Sequence, residues 1–76
     1  MDYDENKVDE MVLALLYLTI HDDNRAWKGH SWDAMDRLHA KGYISNPATA
    51  AKSVMLTAEG MERAEQLFEK HFGKTA

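Results

Sequence analysis

His21-Asp22-Asp23 is the compact run in this chain whose side chains could ligate a metal. A metal site needs three or four ligands converging at defined spacing. His30, His39 and His71 are scattered, no His-x-x-x-His pair lies on a helix, and cysteine is absent. The run therefore reads as a helix-ending turn, and no metal or cofactor is expected. Asp33 and Asp36 stand three apart. Paired carboxylates can do acid–base work only in a pocket that raises the pKa of one of them. In the first turn of a helix they read as solvated acids beside its positive end. Ser31, Ser45 and Ser53 have no nucleophile elbow around them, and Gly29, Gly42, Gly60 and Gly73 are dispersed rather than gathered in a phosphate-cradling loop. No catalytic residue is assigned, and the expectation is a protein that is not an enzyme.

Binding chemistry has more to work with. Trp27 and Trp32 flank the Gly29-His30 turn. Such aromatics either cap a small core or anchor an interface. Arg37, Lys41 and Lys52 are the cations best placed to meet phosphates. Three cations among local acids are a thin footing for DNA affinity.

The elements that position these residues follow from spacing and caps. Asp4 is a plausible N-cap for a helix running to about Ile20. Val8, Met11, Val12, Leu15, Leu16 and Thr19 form one apolar face of it. Leu13, Tyr17 and Ile20 form a second stripe, at i, i+4 and i+7. Arg25 to Lys28 is a short strand or a single helical turn. Ser31 caps a helix reaching Lys41, with Trp32, Met35 and Leu38 inward and Gly42 as its left-handed terminator. Tyr43-Ile44 and Ser53 to Thr57 read as two strands of a hairpin, joined through the Asn46-Pro47 turn and the flexible segment 48–52. Thr57 caps a third helix, Ala58 to Phe72, whose inner face is Met61, Ala64, Leu67, Phe68, His71 and Phe72. Residues 73–76 should fray. The expected fold is mainly α with a small β-hairpin (α+β), as a single domain over residues 1–76.

The phrases Leu38-His39-Ala40-Lys41-Gly42-Tyr43-Ile44 and Val54-Met55-Leu56-Thr57-Ala58-Glu59-Gly60 resemble winged-helix regulators of the PadR and MarR kind. There a helix ends in Leu-x-x-x-Gly-aromatic-Ile, and a wing leads through Leu-Thr-x-x-Gly into another helix. The resemblance covers residues 31–65. It implies a truncated winged-helix-like fold with three main helices and a two-stranded wing. It also implies a DNA-binding regulator that would use the helix 31–41 and the wing 43–57. Only nine residues, Asp22 to His30, separate the first helix from the Ser31 helix, too few for a full supporting helix and its turns. Nearly the whole chain also resembles a family of short bacterial proteins, a domain of unknown function. Asp2-Tyr3-Asp4, the run Met11 to Thr19, His21-Asp22-Asp23, Arg25 to His30, Trp32-Asp33-Ala34, Asp36-Arg37-Leu38 and Lys41 to Ile44 carry that likeness. It implies no activity.

Charge and address complete the reading. Residues 1–36 carry a net charge of −6 and residues 37–76 a net +2, giving −4 over 76 residues. The acidic front half opposes nucleic-acid phosphates. The start of the chain is acidic where an export signal is basic, and the apolar run Met11 to Ile20 is half the length that crosses a bilayer. A cytoplasmic protein with no membrane association is expected. A short chain without disulfides, carrying a helix apolar on two faces, points to a partner chain as stabiliser. The favoured function is a dimerising protein-interaction module with Leu13, Tyr17, Ile20, Trp27 and Trp32 at or near the contact. DNA binding through Arg37, Lys41 and Lys52 is the alternative.

Overall fold

The structure is a computed structural model and describes residues 1–74. Its elements are α1 (Glu5–Leu18), β1 (Arg25–Trp27), α2 (Trp32–Ala40), β2 (Ser53–Met55) and α3 (Ala58–Phe72). Three helices and a two-stranded antiparallel sheet make it a small α+β fold. Gly73 and Lys74 follow α3 without regular structure, and the rest of the expected frayed tail lies outside the described residues.

All three helices start where a side-chain oxygen satisfies a free amide. The Asp4 carboxylate accepts from the N–H groups of Asn6 and Lys7 at 3.0 and 3.2 Å. Ser31 Oγ accepts from Ala34 at 3.4 Å, and Thr57 Oγ1 from Gly60 at 3.0 Å. The end of α2 is a Schellman turn: Tyr43 N–H donates to Leu38 O and Gly42 N–H to His39 O, at 3.1 and 2.9 Å. Gly42 has φ +81°, so glycine is the residue that closes the turn without strain.

The sheet is not the expected hairpin. β1 pairs with β2 in the register Arg25↔Met55, Ala26↔Val54, Trp27↔Ser53, and only an isolated bridge, Ile44↔Leu56, remains of the 43–57 wing. The physical reason is burial. Ala26 and Val54 oppose each other and both lie in the core, so pairing β1 with β2 carries apolar surface out of water. The Tyr43–Ser45 segment is held beside β2 by Ser45 N–H to Met55 O at 2.8 Å and Thr57 N–H to Tyr43 O at 3.0 Å. Pro47, which has no N–H to give a ladder, stops it there.

Beyond Pro47 the chain is tied down rather than loose. Lys28 Nζ donates to the carbonyls of Pro47 and Thr49, both at 2.7 Å, and Lys28 N–H donates to Lys52 O at 3.1 Å. The Lys28→Met variant should speed amide exchange across residues 46–52 by about tenfold, because charge-assisted bonds hold the local closed state. Exchange in α1 should be unchanged, as measured by hydrogen–deuterium exchange.

The core is centred on α1, and this corrects the expected free stripe. Leu13 is 1% exposed, the Tyr17 ring meets Phe68 at 5.3 Å between centroids, and Ile20 packs half-buried against the core. The cause is α3. Its own stripe of Ala64, Leu67 and Phe68 needs cover, so it folds back along α1 and closes the face that a lone amphipathic helix would leave open. Trp32 departs in the other direction. Expected inward on α2, it is 65% exposed, and Ala34, Met35 and Leu38 make the buried side of that helix.

Candidate functional site

Among the described residues Asp9 is the buried charge. Its position on α1 puts it in line with Val12, Leu13 and Leu16, so the helix that carries the core also carries a carboxylate inward. There it is met from α2. Arg37 grips it through Nε at 2.8 and 3.1 Å and through a terminal nitrogen at 2.8 Å. Lys41 Nζ adds a bond at 3.3 Å. The other terminal nitrogen of Arg37 reaches Glu5, one turn earlier on α1, at 2.8 Å. Burial alone would push the Asp9 carboxyl up. The hydrogen bonds and charges of Arg37, and then of Lys41, more than offset this and hold it below its ordinary value of 3.8. The same contact with Asp9 raises the already high pKa of Arg37. Among the described residues no buried side-chain nitrogen or oxygen lacks a partner.

This cluster decides what two of the sequence-level DNA contacts do. Arg37 and Lys41 are drawn onto Asp9, and Lys52 is exposed in the loop that Lys28 clamps. Two of the three cations are therefore committed to a buried acid. The solvent face of α2 instead carries Trp32, Asp33 and Asp36. Asp9 itself escaped sequence reasoning. The signal was an acid placed on the same helical stripe as three core residues, with a cation pair, Arg37 and Lys41, one turn apart further on.

Beside the cluster lies a half-open cleft of about 350 Å³ between α1, the end of α2 and α3. Leu13, Leu38 and Leu67 form its base, with Asn6, Asp9, Glu10, Lys41, Tyr43 and Arg63 above them. Glu10 contacts Arg63 at 3.7 Å and His71 Nε2 at 3.4 Å, joining α1 to α3.

A separate surface carries the aromatics. Arg25, Trp27, Ser53 and Met55 alternate away from the buried Ala26 and Val54, so they share the outer face of the sheet. Trp27 is 53% exposed and Met55 nearly as much, in diagonal positions about 7–8 Å apart. His21 stacks on Trp27 at 4.3 Å, with its Nδ1 3.1 Å from Thr19 O. That geometry gives His21 a structural role in the turn, where Asp22 and Asp23 take left-handed φ values of 47° and 72°. Among the described residues no group of three or more His, Asp or Glu side chains is gathered as a metal site would require. No helix among them is long and apolar enough to cross a membrane.

Comparison with known proteins places this arrangement. A protein of Sinorhizobium fredii (strain NBRC 101917 / NGR234), described as "Uncharacterized protein y4hR", is 50% identical over 72 residues, covering 95% of this chain and 97% of that protein. No solved structure matches the chain. The family model described as domain of unknown function DUF6429 matches residues 4–74, a span running from the Asp4 cap through all three helices. The chain belongs to the DUF6429 family.

Proposed function

We propose that the protein is a non-catalytic, cytoplasmic interaction module, and that its partner is a second copy of itself, docked through the exposed Trp27 and Met55 of the outer sheet face and the exposed Trp32 of α2. The observation that carries this is the exposure of both tryptophans, at 53% and 65%. A tryptophan side chain has the largest apolar area of any residue and normally contributes it to a core or an interface. Two further features favour a second copy. The molecule is a slab, 42 × 36 × 19 Å, with 5247 Å² of accessible surface. A compact monomer of this mass exposes about 4,700 Å². Arg25 on the sheet and Asp33 and Asp36 on α2 also supply both signs of charge, as a self-complementary pairing requires. The pairing of β1 with β2 builds the sheet face, and α2 brings Trp32 toward solvent.

Sedimentation equilibrium tests it. The native chain should sediment as a dimer at micromolar concentration. Trp27→Ser combined with Trp32→Ser should sediment as a monomer with an unchanged helical circular-dichroism spectrum, because both rings lie outside the buried core and Trp27 gives up only its stacking on His21. A native chain that stays monomeric up to about 100 μM, where any contact stronger than roughly 5 kcal/mol would show, overturns the proposal. The alternative of DNA binding rests on Lys52 and Arg25 once Arg37 and Lys41 are drawn onto Asp9. Titration on mixed duplex DNA at low salt should be flat. Affinity that falls steeply with added salt would favour the regulator reading instead.

A further inference from the structure

We propose that the outward flank of α1 is a second docking surface, which takes α1 of another copy of this chain, antiparallel, about a two-fold axis near Leu15. Successive residues of a helix point about 100° apart, so the neighbours of α1 divide it into three flanks. Glu5 and Asp9 face α2, where Arg37 holds both. Glu10 and Tyr17 face α3, through Arg63 and His71 and through the Phe68 ring. Met11, Leu15 and Leu18 follow one another at i, i+4 and i+7 on the third flank. Leu18 is 63% exposed, Met11 and Leu15 are half-buried, and none of the three is among the residues packed into or against the core. The face that the sequence offers as inward thus divides. Val12 and Leu16 enter the core, and Met11 and Leu15 do not.

The charges at the two ends of this flank name the occupant. Lys7, one turn before Met11, is the one cation of α1, and it is exposed. Asp22 and Asp23 stand exposed beyond the far end of the helix, at the tip of the turn between His21 and Arg25. Among the described residues neither Lys7 nor these acids enter an ion pair. The surface is therefore positive at one end, apolar in the middle and negative at the other. Two copies laid antiparallel about Leu15 set Met11 beside the partner's Leu18 and Lys7 beside the partner's Asp22. Their helix dipoles then also oppose favourably. A parallel arrangement would set Lys7 against the partner's Lys7. The pattern has the self-complementarity that a two-fold contact requires. From Met11 to Leu18 the stripe runs about 10 Å, so the contact is smaller than the ~800 Å² that a standard interface buries on each side. It forms at higher concentration than the tryptophan contact and does not rest on it, since a single chain and a chain paired through its tryptophans carry the stripe alike.

Sedimentation velocity and disulfide trapping test it together. The native chain should show an association step between about 100 μM and 1 mM, from dimers to larger even-numbered assemblies. With Trp27→Ser and Trp32→Ser in place, the same step should run from monomers to dimers. Leu18→Lys should move the step upward by at least about tenfold, because an ammonium would be buried against the partner's Met11. Its thermal midpoint should hold, since the side chain is exposed in the single chain. Lys7→Glu should move the step by about fivefold. The chain has no cysteine, so introduced ones report the contact cleanly. At about 500 μM, an oxidised mixture of Met11→Cys and Leu18→Cys chains should yield the mixed disulfide in severalfold excess over either self-linked product. The absence of any step below about 1 mM overturns the proposal. So does a step that Leu18→Lys leaves in place, or Leu18→Cys chains that link chiefly to themselves. A native chain that is monomeric at 100 μM but keeps the step and the mixed disulfide would overturn the tryptophan contact and support this one.

Discussion

Gly60→Ala should lower the thermal midpoint by more than 10 °C, the largest effect expected of any single methyl group added to this chain. In an isolated helix the same change stabilises, by about 1 kcal/mol, because alanine restricts the unfolded chain and glycine does not. Here the added methyl would fall inside the van der Waals envelope of the Tyr43 carbonyl. That carbonyl cannot move aside. Its oxygen accepts the Thr57 N–H at 3.0 Å, and its residue is the last of the Schellman turn that ends α2. The clash is with backbone, so the start of α3 must shift away from the 43–45 segment and uncover Ile44 and Leu56. Overpacking of this kind costs about 1–3 kcal/mol or more. A chain of this length holds only about 4–11 kcal/mol in total. At roughly 4–8 °C for each kcal/mol, a loss of about 3 kcal/mol removes 12–24 °C. Gly29→Ala is the control. Nothing lies within 4 Å of a methyl there, and its midpoint should hardly move. A Gly60→Ala variant that melts with the native chain would show that α3 is free to move away from Tyr43.

Arg37→Met should be the second large loss, and its size should depend on pH. The substitution keeps most of the apolar length of the side chain and removes the group that makes three of the four bonds to Asp9. A carboxylate left buried without its partner costs about 3–5 kcal/mol, and the remaining contact from Lys41 reduces that only in part. In the native chain the Asp9 carboxyl lies below 3.8, so the folded form binds its proton less readily than the unfolded one. Its contribution to stability is therefore complete above that value and is lost as the pH falls through the lower, folded-state value. In Arg37→Met, burial acts with little opposition and the carboxyl moves up. Protonation then relieves the variant, and its deficit against the native chain should be greatest near pH 7 and smaller at pH 4. Urea titrations at the two pH values measure this directly. Asp9→Leu combined with Arg37→Met should recover most of the loss, since neither charge is then left alone. An equal deficit at both pH values would mean that Arg37 acts through packing and not through Asp9.

What could be read from the sequence divides along physical lines. Signals that act within one turn of chain were legible. Asp4, Ser31 and Thr57 cap the helices they were expected to cap, Gly42 takes the left-handed conformation, and α3 runs from Ala58 to Phe72. Contacts between distant segments were not. Tyr43-Ile44 and Ser53 to Thr57 are close in sequence and strand-like, so local reasoning joins them. Only the burial of Ala26 opposite Val54 shows why β1 takes that place. Leu13 looked surplus because an α1 considered alone has no α3 beside it. Arg37 and Lys41 looked free because Asp9 lies a whole element away. The tryptophans are the informative exception. Their type suggested either core or contact surface, and Trp32 at the very start of α2 turns out to lie on the side away from Met35 and Leu38.

The pairing of β1 with β2 also bears on how the chain reaches its fold. Residue 26 can meet residue 54 only after the intervening chain, α2 included, has been gathered into a closed loop. The hairpin suggested by the local sequence would close a loop roughly three times shorter, and the difference in closure entropy is about 1 kcal/mol, near fivefold in rate. Helix contacts between α1 and α2 should therefore form ahead of the sheet, with strand pairing a late event. Destabilising changes at Ala26 or Val54 should then accelerate unfolding and leave the refolding rate nearly untouched, whereas changes at Leu16 or Leu38 should slow refolding. The outer sheet face, which carries Trp27 and Met55, would be the last part of the molecule to take shape.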